Sequence, residues 1–237
     1  MMQATTWEFK YRALMFGLVI WCGFLLYFVD QQNVVAAFAN WMEHRFAVAS
    51  DPAARLLFVA AAVVVGVAAL VRTWASAYLQ AQVVYAPTIK TAALVGDGPY
   101  RHVRNPLYFA NVLLIIGMGA MMSPVGFVAG LILMLIFCYR LIFREESELK
   151  AAQTGHYTEY FNAVPRLWPS LRPRVAASGR LANWKDGFKA ESWYWGFALA
   201  LTAYAMTLQL KWFFIVTAVS LGLFWALSAV VERQSKI

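Results

Sequence analysis

Basic and hydrogen-bonding residues stand at the start of an apolar segment in the stretch GDGPYRHVRNPLYFANVLLIIGMG, Gly96–Gly119. Arg101 and Arg104 precede Pro106, and proline suits the first turn of a helix, where its missing N–H leaves no bond unmade. Asn105 then occupies the N-cap position. Because a helix N-terminus beside arginines attracts an anion, the stretch predicts a carboxylate-binding site. The alternative is a plain topology signal of basic residues.

A second polar cluster follows the next apolar run, in the sequence REESELKAA. It contains two adjacent carboxylates, Glu145 and Glu146. The spacing of four residues also predicts ordinary helix-surface pairs, Arg144 with Glu148 and Glu146 with Lys150. The cluster therefore has a second interpretation, as the solvated face of a helix.

Aromatic residues follow this cluster in the sequence GHYTEYFNAVPR. We expect the helix to end at Gly155 and a short helix to place Tyr157 and Tyr160 on one face. Pro165 disfavours helix at the residue before it and so ends this short helix. Arg166 comes directly after the proline.

The two polar clusters are predicted to meet. A tight turn, MMSPVG, joins the apolar segment that begins with the first cluster to the one that ends with the second. The start of one helix must then lie beside the end of the other. Arginines, glutamates and tyrosines would converge on one pocket, and such convergence is typical of a cofactor site.

Composition indicates an integral membrane protein. The chain has 237 residues, of which 62% are hydrophobic and 14% charged, whereas soluble domains are about 25% charged. The apolar runs lack the alternation of barrel strands, so we predict an all-α, polytopic transmembrane helical bundle. About six spans are expected, near residues 13–29, 56–74, 107–122, 125–143, 193–210 and 212–231.

The positions of the basic residues predict the orientation. With both termini in the cytoplasm, every Lys and Arg except Arg45, Arg55 and Lys211 falls on the cytoplasmic side. The pocket would then face the cytoplasm from the inner membrane. Topology and contact with anionic lipid account for the net charge of +8. We therefore expect no nucleic-acid partner.

Four segments are predicted along the chain. Residues 1–55 form an N-terminal span and an outer interfacial helix, and residues 56–170 form a membrane core with the cofactor pocket. Residues 171–192 form a basic connector on the membrane surface, and residues 193–237 form a C-terminal transmembrane hairpin. The sequence carries no signal for an oligomeric state.

No metal site is predicted from the sequence. Cys22 and Cys138 lie inside apolar runs without CxxC spacing. The three histidines, His44, His102 and His156, are scattered through separate segments without the spacing of metal ligands.

The ordered motifs GPYRHVRNPLYFA, EESEL, TGHYTEYF and VPRLWP resemble the isoprenylcysteine carboxyl methyltransferase family and the related phospholipid methyltransferases. The resemblance covers roughly residues 56–169. It implies S-adenosyl-L-methionine as cofactor, bound at the helix ends. It also implies a lipophilic acceptor that arrives through the membrane, such as the carboxylate or amine of an isoprenoid or lipid.

The resemblance also implies roles for individual residues. Arg101 or Arg104 would hold the cofactor carboxylate, and Glu145 or Glu146 its ammonium or ribose hydroxyls. The tyrosines would wall the adenine or face the cationic sulfonium, and Arg166 would act on the substrate side. The expected cofactor-binding residues are Tyr100, Arg101, Arg104, Asn105, Pro106, Tyr108, Glu145, Glu146, Tyr157 and Tyr160.

Two positions depart from the family pattern. Asn105 stands where the family has His, and Ala110 stands where it has Gly. Asparagine donates and accepts hydrogen bonds but does not titrate, which removes any acid–base role at this position. His102, three residues earlier, is the candidate substitute. Arg166, Asn105 and His102 are thus the candidate catalytic residues.

Two other functions remain open at this stage. Membrane sterol reductases carry a similar RxxRHPxY stretch and use NADPH, although the EESEL and YTEYF motifs favour the methyltransferase. The altered His and Gly positions would also suit a non-catalytic membrane binding protein.

Overall fold

A computed structural model describes the backbone of residues 3–79, 96–152 and 156–234. Side chains are described throughout these ranges except at residues 152, 156, 157 and 227–234. The described regular structure is helical, as predicted. Its α-helices are α1 Thr6–Lys10, α2 Arg12–Leu25, α3 Tyr27–Asp30, α4 Val34–Phe46, α5 Ser50–Tyr78, α6 Pro106–Met118, α7 Pro124–Ala152, α8 His156–Ala163, α9 Trp184–Ala190, α10 Ser192–Thr207 and α11 Leu210–Gln234.

Three helical stretches are long and apolar enough to cross a membrane: Arg12–Asp30, Ser50–Tyr78 and Pro124–Ala151. They coincide with the first, second and fourth predicted spans. Shorter apolar helices occupy Pro106–Met121 and Leu210–Ala226. The total of six spans stays a prediction, whereas the helical membrane bundle is confirmed.

Helix α4 lies in the segment predicted as an outer interfacial helix, and its place at the interface stays a prediction. Asn33 caps α4 by accepting a 2.6 Å bond from the Ala36 N–H. The predicted MMSPVG turn joins α6 to α7. Only two residues separate α10 from α11, and one of them, Leu208, has φ of +52°. This turn lies inside the C-terminal hairpin predicted for residues 193–237.

The chain divides into two compact units. The first unit contains Met1–Ile20, Leu70–Val112 and Ile132–Ala190. The second contains Trp21–Ala69, Leu113–Leu131 and Glu191–Ile237. The four segments predicted from the sequence stay a prediction.

Close helix contacts and polar caps hold the second unit together. A Cβ on Gly126 of α7 would lie 2.0 Å from the carbonyl oxygen of Gly23 in α2, so only glycine permits this approach. Asp30 Oδ2 accepts a 2.8 Å bond from the Val125 N–H at the start of α7. Arg55 donates to the carbonyls of Ala205 and Met206 at the end of α10. These bonds satisfy helix-end groups that lipid cannot.

Gly126→Ala is expected to destabilise the protein. The added methyl group overlaps the backbone of α2 and forces the two helices apart, a change that typically costs about 1–3 kcal/mol. Gly222→Ala in α11 is the matched control, because nothing lies within 4 Å of its Cβ position. Thermal unfolding in detergent measures both, and equal melting temperatures would contradict the close contact.

Candidate functional site

Hydrogen bonds between two distant segments of the first unit build the site. The Arg104 N–H donates to the Pro165 carbonyl at 2.8 Å, and the Ser170 N–H donates to the His102 carbonyl at 2.9 Å. The Arg174 N–H donates to the Arg101 carbonyl at 2.8 Å. The basic loop before α6 and the irregular chain after α8 therefore run side by side.

The start of α6 is as predicted, with a different role for one side chain. Pro106 is the first helical residue, and the carbonyl of Asn105 accepts the Phe109 N–H at 3.1 Å. The Asn105 side-chain amide donates to the carbonyl of Arg166 at 2.9 Å. The asparagine that replaces the family histidine thus joins α6 to the 165–170 segment.

Glu146 is the electrostatic centre of the site. One of its oxygens lies 3.3 Å from Arg104 Nη2, and the other lies 3.1 Å from Arg166 Nε. The side chains of Glu146 and Arg104 are only 7% and 8% exposed. The two guanidinium groups offset the hydration that the buried carboxylate has lost. An isolated buried charge has no such compensation.

The predicted Glu146–Lys150 pair is wrong. Lys150 instead lies over the ring of Phe161, with Nζ 3.5 Å from its centroid. Arg104 lies over the same ring at 3.7 Å. The attraction of Lys150 to the Phe161 ring competes with the expected pairing of Lys150 with Glu146. The other predicted pair, Arg144 with Glu148, is confirmed at 2.9 Å.

Glu145 points to a different partner from its neighbour. The Tyr108 hydroxyl donates to Glu145 Oε1 at 2.6 Å and joins α6 to α7. Such a short bond is typical of a charge-assisted O–H···O contact. A carboxylate has about four acceptor positions, so Glu145 retains acceptors beyond the one that Tyr108 uses.

Three further predicted residues make side-chain contacts with backbone carbonyls. The Tyr160 hydroxyl donates to the Tyr100 carbonyl at 2.9 Å. Arg101 donates through Nε to the Val175 carbonyl, and His102 Nδ1 lies 2.8 Å from the Ser170 carbonyl. These side-chain bonds of Arg101 and His102 thus go to backbone carbonyls of the segment after α8. Gly155 lies outside the described residues, and the side chain of Tyr157 lies outside the described side chains.

The N-terminal segment contributes contacts that the sequence analysis missed. Arg140 Nη2 bonds both carboxylate oxygens of Glu8, at 3.0 and 2.7 Å, and Arg144 reaches the Ala4 carbonyl and the Thr6 hydroxyl. The sequence signal was the TTWE capping box, in which Thr5 and Glu8 bond each other. It predicts a helix start and does not identify Arg140 as the partner.

Ring contacts continue from this segment towards the site. Phe16 of α2 lies 6.1 Å from the ring of Tyr108 and 5.0 Å from that of Phe137, centroid to centroid. Arg12, at the start of α2, donates to the Phe9 carbonyl at 3.0 Å. The start of α2 therefore forms one wall beside the Tyr108–Glu145 pair.

A second buried charge was also missed. Arg72 Nη1 of α5 donates to Asn111 Oδ1 of α6 at 2.8 Å, and both residues are almost fully buried. An arginine inside a candidate span is costly unless polar groups receive it. The signal was Arg72 itself, which the sequence analysis used only for orientation.

Comparison with known proteins gives a family match over part of the chain. Residues 56–152 match the model of the family described as phospholipid methyltransferase. This confirms the resemblance to the phospholipid methyltransferases over the segment that includes Arg104, Asn105, Tyr108, Glu145 and Glu146. No solved structure gives a significant match to the chain.

Two curated proteins are similar to the chain. The nickel-cobalt-cadmium resistance protein NccN of Alcaligenes xylosoxydans xylosoxydans is 25% identical over 144 residues, which cover 60% of this chain and 64% of that protein. The cobalt-zinc-cadmium resistance protein CzcN of Cupriavidus metallidurans is 26% identical over 143 residues, covering 59% and 63%. The chain therefore spans less than two thirds of the length of either relative. In the described part of this chain, no group of three or more His, Cys, Asp or Glu residues is placed to hold a metal ion.

Glu146→Ala is expected to destabilise the protein by about 3–5 kcal/mol, because it leaves the buried Arg104 without its carboxylate. Arg166→Ala is the matched comparison. Its side chain is 34% exposed, so water compensates the change and the cost is smaller. Thermal unfolding in detergent gives the order of the two variants, and a larger loss for Arg166→Ala would contradict the central place of Glu146.

Asp97→Asn is expected to weaken the contact between Asp97, in the loop before α6, and the chain at Ser178 and Arg180. Asp97 accepts the N–H groups of Ser178 and Arg180, at 2.8 and 3.0 Å, and the Ser178 hydroxyl. The Ser178 hydroxyl, followed by the backbone N–H groups, holds the Asp97 pKa below its usual value. Bonds to a charged acceptor contribute about 1.5–3 kcal/mol, so the variant should melt at a lower temperature at pH 7.

The pH dependence of that difference follows from the lowered pKa. The stabilisation is complete above the unfolded-state pKa, about 3.9, and is lost as pH falls through the lower native pKa. The two melting temperatures should therefore converge only in strong acid. Asp51→Asn, a change at an exposed carboxyl, is the control and should have a small effect. A difference that persists unchanged in strong acid would exclude the Asp97 charge as its source.

Proposed function

We propose, from the match of residues 56–152 to the phospholipid methyltransferase family model, that this protein is an integral membrane methyltransferase dependent on S-adenosylmethionine. One observation carries the proposal. Tyr108 contacts Glu145 and Arg104 contacts Glu146, so the hairpin of α6 and α7 brings the two polar ends of the matched segment together. The isoprenylcysteine carboxyl methyltransferase-like subtype is part of the proposal.

The residues suit the cofactor by their chemistry. S-Adenosylmethionine supplies a methyl group on a cationic sulfonium, and it also carries a carboxylate, an ammonium, a ribose diol and adenine. Glu145 has acceptor positions left for an ammonium or a ribose hydroxyl. Arg104 and the N-terminus of α6 suit a carboxylate. The rings of Tyr100, Tyr108 and Tyr160 suit the adenine and the sulfonium.

Catalysis by this chain would rest on positioning. Tyr108 fixes the Glu145 carboxylate, and Glu146 fixes Arg104 and Arg166 relative to each other. Fixed groups of this kind hold two reactants in line and keep water out. Asn105 would position Arg166 through the bond to its carbonyl and transfer no proton. A carboxylate or amine nucleophile needs little further acid–base chemistry.

The acceptor and the orientation are part of the same proposal. Arg166 is partly exposed, at 34%, and so remains the candidate for pairing with an anionic acceptor. The acceptor would be a lipophilic molecule that reaches the site from the bilayer. The distribution of Lys and Arg supports an inner-membrane protein with both termini and the site on the cytoplasmic side.

Binding of S-adenosylhomocysteine to the purified full-length chain tests the cofactor. The wild type should bind it and should not bind NADPH. Glu145→Gln and Tyr108→Phe should each weaken binding roughly tenfold, the effect of losing one hydrogen bond to a charged group. Glu159→Gln is the matched control, because Glu159 is exposed on α8, and it should bind normally.

The other results separate the alternatives. Binding of NADPH alone would support a sterol reductase-like enzyme, and binding of neither nucleotide would support a non-catalytic protein. For the acceptor, lipid extracts incubated with labelled methyl donor and analysed by mass spectrometry should yield a labelled lipophilic product. A labelled product confined to the aqueous fraction would exclude a membrane-delivered acceptor.

A further inference from the structure

The segment Ser170–Val175, called here the 170–175 loop, is fixed at both ends. The Ser170 and Arg174 N–H groups donate to the carbonyls of His102 and Arg101, as described above. The side chains of Arg101 and His102 also contact the loop. Arg101 Nε donates to the Val175 carbonyl at 2.9 Å, and His102 Nδ1 lies 2.8 Å from the Ser170 carbonyl. The shape of the loop is therefore set by the fold.

The tip of this loop carries an apolar side chain beside a positive charge. Leu171 is 100% exposed. Arg172 is exposed, and within the described chain its guanidinium makes no hydrogen bond or ion pair. Removing a leucine side chain from water is favourable, so Leu171 offers an apolar contact beside this charge.

An open cavity of about 500 Å³ lies at this tip, lined by Ser170, Leu171, Arg172 and Arg174. Arg174 is oriented by a 2.9 Å bond from Nε to the Ser170 hydroxyl. Two guanidinium groups and a hydroxyl suit a phosphate, because arginine matches its oxygens in two-point contacts. The leucine suits the hydrocarbon next to it.

We infer that the 170–175 loop is a docking site for the phosphodiester headgroup of an anionic phospholipid, with Leu171 inserted among the acyl chains. The loop lies outside the family-matching residues 56–152 and uses neither Glu145 nor Glu146. The lipid here is a bound component of the bilayer, distinct from the methyl acceptor.

Neighbouring residues extend the same surface pattern. Trp168, Leu181 and Trp184 are 54%, 91% and 50% exposed. Aromatic and apolar side chains among basic residues are typical of segments that lie in the headgroup region. A free phosphate ion would satisfy the arginines alone and would leave these apolar groups in water.

Lipid titration of the detergent-purified full-length chain, followed by native mass spectrometry, tests the inference. Phosphatidylglycerol is the anionic probe, phosphatidylcholine the neutral lipid and inorganic phosphate the competitor. Wild type should retain phosphatidylglycerol in preference to phosphatidylcholine, and phosphate should not displace it. Arg172→Ala should weaken phosphatidylglycerol binding about fivefold, the usual contribution of one basic residue near an anionic surface.

Matched variants separate this site from general basic attraction. Arg172→Lys keeps the charge and should retain most of the binding. Arg180→Ala removes a charge from the same segment but outside the cavity, and should weaken binding less than Arg172→Ala. Leu171→Asn should weaken lipid binding although all the charges remain. Because the Arg172 guanidinium makes no hydrogen bond or ion pair with the described residues, the Arg172→Ala variant should melt as the wild type does.

Three results would overturn the inference. Equal binding of phosphatidylglycerol by Arg172→Ala and the wild type would exclude a role of Arg172 in lipid binding. Equal binding of the two lipids by the wild type would exclude headgroup recognition. Displacement of the lipid by inorganic phosphate would assign the site to a soluble anion. None of these results depends on the binding of S-adenosylhomocysteine.

Discussion

The pairing of Glu146 with two arginines is the interaction on which the first unit depends. It joins three parts of the chain: the loop before α6, the end of α7 and the segment after α8. A buried carboxylate cannot lose both partners without a large cost, so these parts are tied to one geometry. The neighbouring contacts of Tyr108 with Glu145 and Asn105 with Arg166 are short-range consequences of that geometry. The paired charges therefore hold these side chains rigidly in place.

The second unit solves a different problem with different means. Its helices have exposed apolar faces, suited to lipid, and need internal partners only where backbone groups are left over. Asp30 supplies such a partner at the start of α7, and Arg55 supplies one at the end of α10. Gly126 allows the backbones of α7 and α2 to touch. Polar side chains serve mainly as caps there, whereas in the first unit they are concentrated into one network.

Much of the site could be predicted from the sequence because its parts are local patterns. The N-cap position of Asn105, Pro106 in the first turn and the tight MMSPVG turn are each set by neighbouring residues, and together they imply that the clusters meet. The choice of partners could not be predicted. Glu146 was matched with Lys150 by helix spacing, but Arg104 and Arg166 take its place through contacts that a linear pattern does not contain. The same holds for Glu8 with Arg140 and for Arg72 with Asn111, which are far apart in sequence.

The position of Arg166 along the chain sets how much of the chain the charge cluster needs. The hairpin of α6 and α7 follows directly on Arg104 and contains Glu146, whereas Arg166 lies twenty residues beyond Glu146. A chain cut after α7 would therefore keep the buried carboxylate beside one arginine and lose the second. It would also lose the backbone hydrogen bonds that Arg104, His102 and Arg101 make with the segment from Pro165 to Arg174. The family-matching residues 56–152 are thus held in place by a segment that lies outside the match.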